Sequence, residues 1–312
     1  MLSAFCLCSS ATNTYPRFVK KRFLALASGY WPTIIINILL AALTVLILGY
    51  SILPSLSLNP KNIIINVLLL NGLTLDWNIM NGVVMGGWYI GAMFLMYLLF
   101  PLMKKVYFIE NETWLKYRYV VFPIAIFIAC KAIMICTGIG QVRYCEWSSA
   151  KYFSIINQLP SFALGFSLYD ISTRGMKVPF VKFVALTLSG LAIFHINGRI
   201  SHLVAPEIVC LATICLFMWL RQNGITNTQG RQTVRAISRL GDQSFAIYLS
   251  HFWVIAIFAA IFKSFCSQVN TTTIYVVTLP FLLAAIYYVA LGYNICIESS
   301  RKAMFHIFGL NR

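Results

Sequence analysis

The sequence predicts an all-α fold, a polytopic membrane helix bundle of about eight full transmembrane helices with a partial helix at the N-terminus. Three observations predict it. Hydrophobic residues make up 60% of the 312 residues and charged ones only 10%, whereas a soluble domain carries about a quarter charged. Apolar runs long enough to span a bilayer core, about 17–25 residues, recur along the chain. Lys and Arg are concentrated in alternate loops, as positive-inside sorting requires. The net charge of +16 therefore reads as topology, and no nucleic-acid partner is expected.

The runs lie at 30–53, 85–103, 119–140, 152–170, 180–196, 203–220, 244–266 and 273–297. Aromatic residues near their ends, such as Tyr30, Trp31, Tyr119, Tyr152 and Tyr275, suit interfacial anchoring. The stretch 62–75 is apolar but short, and is expected to be interfacial, re-entrant or packed inside the bundle. Residues 1–14 read as the second half of a transmembrane helix, too short to span and without the basic start of a signal peptide. The rest reads as a cytoplasmic basic loop at 15–29, the bundle at 30–297 and a cytoplasmic tail at 298–312, all within one membrane-embedded domain. Eighteen of the 24 Lys and Arg fall in 15–29, 104–118, 171–182, 221–243 and the tail. That distribution puts those segments and the C-terminus in the cytoplasm.

The nine cysteines show no metal-ligand spacing, so no metal is expected. Cys145 and Cys266 fall in loops on the same predicted side, where a disulfide is possible. Polar groups inside apolar runs carry more information. "SFAIYLSHFWVI" (244–255) places Ser244, Tyr248 and His251 on one helix face. A lipid-facing polar stripe is costly, so that face should look into the bundle. Lys131 and Glu207 lie deepest in their runs and either pair or serve chemistry, with Glu207 as a candidate base. His195, His202 and Arg199 flank an outer loop and are candidates for substrate contact.

Five stretches, taken in order, resemble the acyltransferase 3 family. "MLSAFCLCSS" (1–10) is similar to the end of the family's second helix, usually written FFxLSGF. "FVKKRFLALASGYWP" (18–32) resembles its basic entry to the third helix, and "GGWYIGAMFLMYLLFP" (86–101) its tryptophan-led fourth. "ISRLGDQSFAIYLSHFWVI" (237–255) resembles its LGxxSYxIYLxH signature, and "CIESSRKAMF" (296–305) its closing acidic-basic tail. There are three departures. The family's first helix, with the basic residue and His taken as its catalytic pair, would lie before Met1; Ala25 stands where RxxR has its second Arg; Met93 stands where several members have an acid. One expectation that follows is a form left inactive by loss of that first helix.

The resemblance implies a ten-helix fold and a membrane O-acyltransferase that transfers acetyl from acetyl-CoA to a sugar hydroxyl of a bacterial envelope polysaccharide or glycolipid. It also implies membrane lipids and a sugar or polysaccharide acceptor as partners, and the bacterial inner membrane as the location. Such chemistry needs a base, donors for the developing oxyanion and a held thioester. On this reading His251 is a supporting catalytic residue, with interhelical hydrogen bonding as the alternative. Arg22 and Lys21, with Ser244 and Tyr248, would hold coenzyme A, although any cytoplasmic segment is basic. Trp88, Asp76 and Trp77 would meet the sugar, and anchoring or a turn explains them equally well. Two other functions fit the composition. One is a transporter or channel using Lys131, Glu207 and His251; the other is a non-catalytic membrane scaffold.

Overall fold

A computed structural model of the chain describes residues 1–9, 14–53, 56–137, 153–177, 179–196, 198–222, 228–265 and 271–310. Among them all regular structure is helical: α1 (Leu2–Cys8), α2 (Tyr15–Leu48), α3 (Pro60–Val67), a 3₁₀ turn (Asn71–Leu73), α4 (Trp77–Asn81), α5 (Gly87–Tyr107), α6 (Glu112–Cys136), α7 (Ile155–Thr173), α8 (Phe180–Ile196), α9 (Gly198–Gln222), α10 (Thr228–Phe265) and α11 (Thr271–Ile307). Side-chain caps start several of them. Asn59 accepts from Lys61 N ahead of α3, with Pro60 at the first helical position. Asn111 accepts from Trp114 N at α6, and Ser154 from Asn157 N at α7.

Each of the eight predicted spans falls on a helix. Five helical stretches among the described residues are long and apolar enough to cross a bilayer: Tyr15–Leu48, Gly87–Tyr107, Glu112–Cys136, Ser238–Phe262 and Thr278–Ile307. They carry exposed apolar stripes that only lipid would cover cheaply. On α2, Ile35, Leu39, Leu43 and Leu46 recur at three- and four-residue spacing; on α11, Phe281, Tyr288 and Ile295 recur every seven. In α9 the apolar part runs over Glu207–Leu220. α7 is interrupted by Asn157, Gln158, Ser161, Ser167 and Asp170, yet twelve of its 19 residues are buried. Protein groups rather than lipid surround its polar side chains.

The basic segments differ from the expectation. Residues 15–29 form the first turns of α2 rather than a loop, α10 begins at Thr228 inside the predicted 221–243 loop, and α11 runs on to Ile307 in the predicted tail. Hydropathy registers charge, whereas Lys, Arg, Leu and Ala are good helix formers. Phe18, Leu24 and Ala27 bury one side of this turn of α2 while Arg17, Lys20 and Lys21 stay exposed. Lys20 Nζ donates to the Phe308 carbonyl at 2.8 Å, capping the C-terminal end of α11 with a positive charge.

The chain forms two compact units, Met1–Val19 with Gly72–Trp77 and Ala92–Arg231, and Lys20–Asn71 with Asn78–Gly91 and Gln232–Arg312. The first has an aromatic core. Phe166 of α7 meets Phe100 at 5.5 Å, Tyr107 at 5.0 Å and Phe122 at 5.4 Å. α1 lies against α7 at Gly165, where any Cβ would collide with the Met1 carbonyl.

In the second unit the short stretch 62–75 is packed inward up to Asn71, with Asn62, Asn66, Leu69 and Asn71 buried. Its asparagine side chains tie it to backbone carbonyls of α3 and α4. Asn66 Nδ2 donates to the Asn62 and Ile79 carbonyls, both at 2.9 Å, and Asn71 Nδ2 to Met80 at 3.3 Å. Tyr30 OH of α2 donates to Asn66 Oδ1 at 2.6 Å, and Trp31 Nε1 to the Val67 carbonyl at 2.9 Å. α11 joins α2 through Tyr293, whose hydroxyl donates to the Gly29 carbonyl at 2.8 Å and lies 2.5 Å from Thr33 Oγ1.

Candidate functional site

α10 carries the stripe that the sequence singles out. Ser244 is exposed, and Tyr248 and His251 are half-buried. His251 Nδ1 lies 2.7 Å from the Tyr248 carbonyl and 3.2 Å from that of Ile247. Carbonyls only accept, so in the neutral ring Nδ1 holds the proton and Nε2 the lone pair. The ring packs on Phe252 at 3.9 Å between centroids, and Tyr248 lies at 5.7 Å. All these partners belong to α10 itself, and among the described residues Nε2 has none.

Tyr248 ties α10 to the start of α5. Its hydroxyl donates to the Gly86 carbonyl at 2.5 Å, and its ring meets Tyr89 at 4.9 Å. Gly86 sits at φ 81, where a side chain would also run into Phe252. Trp88, half-buried, packs edge-on against Tyr89. The structure thus brings His251, Tyr248 and Trp88 to one end of α5. With its hydroxyl committed to backbone, Tyr248 acts as a strut. Tyr248→Phe is expected to lower stability by about 1 kcal/mol, measured by thermal unfolding in detergent.

Beside this cluster is a cavity of about 20 Å³ lined by Asn37, Asn81, Gly82, Leu249, Phe252 and Trp253, among others. Asn37 Nδ2 donates to the Val83 carbonyl at 3.2 Å, and Asn81 Oδ1 accepts from Gly86 N at 2.9 Å. Those bonds fix both amides. Asn37 Oδ1, Asn81 Nδ2 and Trp253 Nε1 are buried without a partner among the described residues. One acceptor and two donors around this space suit a single water or hydroxyl group. None of the three stood out in the sequence, where a cluster of asparagines in apolar runs was the available signal.

The first unit holds two buried ionic clusters. Lys131 Nζ lies 3.3 Å from Glu207 Oε1 and donates to Asn157 Oδ1 at 2.7 Å. That pairing engages one Glu207 oxygen, and Oε2 is buried with no hydrogen-bond partner among the described residues. The other cluster centres on Asp170 of α7. Arg118 grips its carboxylate from two nitrogens, at 2.7 and 2.8 Å, Tyr107 OH donates to it at 3.0 Å, and Arg174 reaches it at 3.3 Å. The Arg118 guanidinium also covers the rings of Tyr107 and Phe108, at 4.8 and 4.6 Å. Arg174 donates to the Leu115 carbonyl as well. The sequence sorts Arg118 and Arg174 with the loop charges and passes over Asp170.

Of the other candidates, Arg22 is half-buried and Lys21 exposed on the basic turn of α2. Asp76, exposed, donates its backbone N–H to Thr74 Oγ1 at 3.0 Å, and Trp77 opens α4. Both belong to the first unit, whereas Trp88 belongs to the second. His195, Arg199 and His202 lie on α8 and α9, and their side chains, like that of Trp77, are outside the described residues. Cys145 and Cys266 also lie outside them.

Apolar helices of bilayer length with buried polar clusters define a multi-pass membrane protein. The chain matches the family model for the acyltransferase domain over residues 1–291, and it belongs to the acyltransferase 3 family. It is a membrane acyltransferase by that membership. No curated protein and no solved structure matches it.

Proposed function

We propose that the protein transfers an acetyl group from acetyl-CoA to a sugar hydroxyl of a cell-envelope polysaccharide or glycolipid, at a bacterial inner membrane with its C-terminus in the cytoplasm. The observation that carries the reading is the family match over nearly the whole chain. The residues present fit the parts that the reaction needs. Lys21 and Arg22, on the basic turn of α2, offer charge to the coenzyme A phosphates. His251 offers Nε2 as the base, its tautomer held by the Tyr248 carbonyl. In this reading Nε2 takes the hydroxyl proton as the oxygen bonds to the thioester carbonyl carbon. The C–S bond breaks, and the imidazolium returns the proton to the departing thiolate. Trp88, at the same end of α5, supplies a stacking face for the sugar.

Membranes containing the protein, given labelled acetyl-CoA and candidate glycans, are expected to move label into glycan. Solute flux in proteoliposomes, indifferent to acetyl-CoA and without label transfer, would instead favour a channel.

A further inference from the structure

We infer that a groove between α6, α7 and α9 holds one acyl chain of an anionic bilayer phospholipid, with its phosphate at Lys177 and Lys182. The cavity measures about 560 Å³, within the range of ligand sites. Its floor includes Pro123, Leu164 and Ile214, all buried, and its rim Val120, Ile124 and Leu211, all exposed. Prolines explain the gap. Pro123 in α6 and Pro160 in α7 each remove a helical hydrogen bond and push against the preceding turn, and both line the groove.

The length suits a lipid chain. Along α7 the lining runs from Pro160 to Ile171, about 16 Å at 1.5 Å per residue. That is about half of a bilayer core about 30 Å thick, the depth of one leaflet. At one end Glu207 closes the groove, its charge met by Lys131. At the other end stand Lys177 and Lys182, both exposed and with no acidic partner among the described residues. The acid nearest that end in sequence, Asp170, is committed to Arg118 and Arg174. Two free cations over an apolar trough match a negative head on an apolar chain. Ser167, 3% exposed, lies one turn before Ile171 and lines the groove. Its Oγ has no partner among the described residues, and a lipid ester carbonyl would accept from it. The inference does not depend on the proposed reaction.

The test is native mass spectrometry of the purified full chain in micelles with equal amounts of dioleoyl phosphatidylglycerol and dioleoyl phosphatidylcholine. The wild type is expected to retain one phosphatidylglycerol preferentially. Lys177→Gln with Lys182→Gln should reduce that retention about 25-fold, about a factor of five for each lysine. Leu211→Trp, and separately Ile124→Trp, should displace the lipid while leaving helicity and thermal unfolding unchanged. Equal retention of the two lipids overturns the inference. So does phosphatidylglycerol binding that survives both tryptophans, or a groove found to hold an acyl-CoA or a polyprenyl phosphate instead.

Discussion

Replacing Asp170 by Ala is expected to destabilise the protein by about 3–5 kcal/mol, the cost of leaving a buried charge without its partner. The carboxylate is 3% exposed and the Arg118 side chain 10%, so water does little to screen either. Arg118 holds both carboxylate oxygens, and Tyr107 and Arg174 share the second. Removing the acid leaves two guanidinium groups close together and takes an acceptor from Tyr107. Three helices lose a common anchor, because Tyr107 ends α5, Arg118 lies in the second turn of α6, and Asp170 lies near the end of α7. Asp170→Asn keeps the shape and one acceptor but loses the charge, and should fall between the two. Thermal or denaturant unfolding in detergent, followed by circular dichroism, measures both. A loss below about 1 kcal/mol for the Ala variant would mean that Arg118 finds water or lipid phosphate instead. Arg118→Met combined with Asp170→Ala should cost less than the two single changes added together, because no charge then remains unpaired at that bond.

Much of the architecture is legible from the chain because the bilayer imposes length and polarity. Eight apolar runs give eight helices at nearly the expected places. The misreadings share one physical cause. Hydropathy treats a charged stretch as a loop, yet Tyr15–Gly29 and the start of α10 continue their helices with cations on the outer side. Pairing is also invisible to local reasoning. Lys131 and Glu207 are 76 positions apart, and only their depth suggests the bond that forms at 3.3 Å. Arg118 and Asp170 carry no such sign, since each sits near a run end where charge is ordinary. For the site, the helical period places Ser244, Tyr248 and His251 on one face, and the structure separates them by role. Ser244 is exposed, Tyr248 is bonded to backbone, and His251 Nε2 has no hydrogen-bond partner among the described residues.

His251→Ala is expected to reduce acyl transfer by about 100- to 10,000-fold, the usual range for loss of a positioned general base, while changing thermal stability by less than about 1 kcal/mol. The two halves of that expectation come from one geometric fact. A histidine that fastens a bundle spends its ring nitrogens on neighbouring helices, and its removal loosens them. Here Nδ1 turns back to the carbonyls of Ile247 and Tyr248, within α10, and those carbonyls keep their place in the helix when the ring is gone. The aromatic rings it meets, Phe252 and Tyr248, are also on α10. Stability therefore has little to lose, and a collapse of activity in a folded variant would be chemical. His251→Gln separates the base from a hydrogen-bonding role: a proton acceptor at Nε2 is not restored by an amide, whereas a donor or acceptor that only orients substrate would be. If the Gln variant recovers most of the wild-type kcat, His251 positions the acceptor and another group takes the proton. If both variants are inactive and both unfold at the wild-type temperature, Nε2 is the base. A Tm that falls together with activity in both would return His251 to the structural role that its hydrogen bonds argue against.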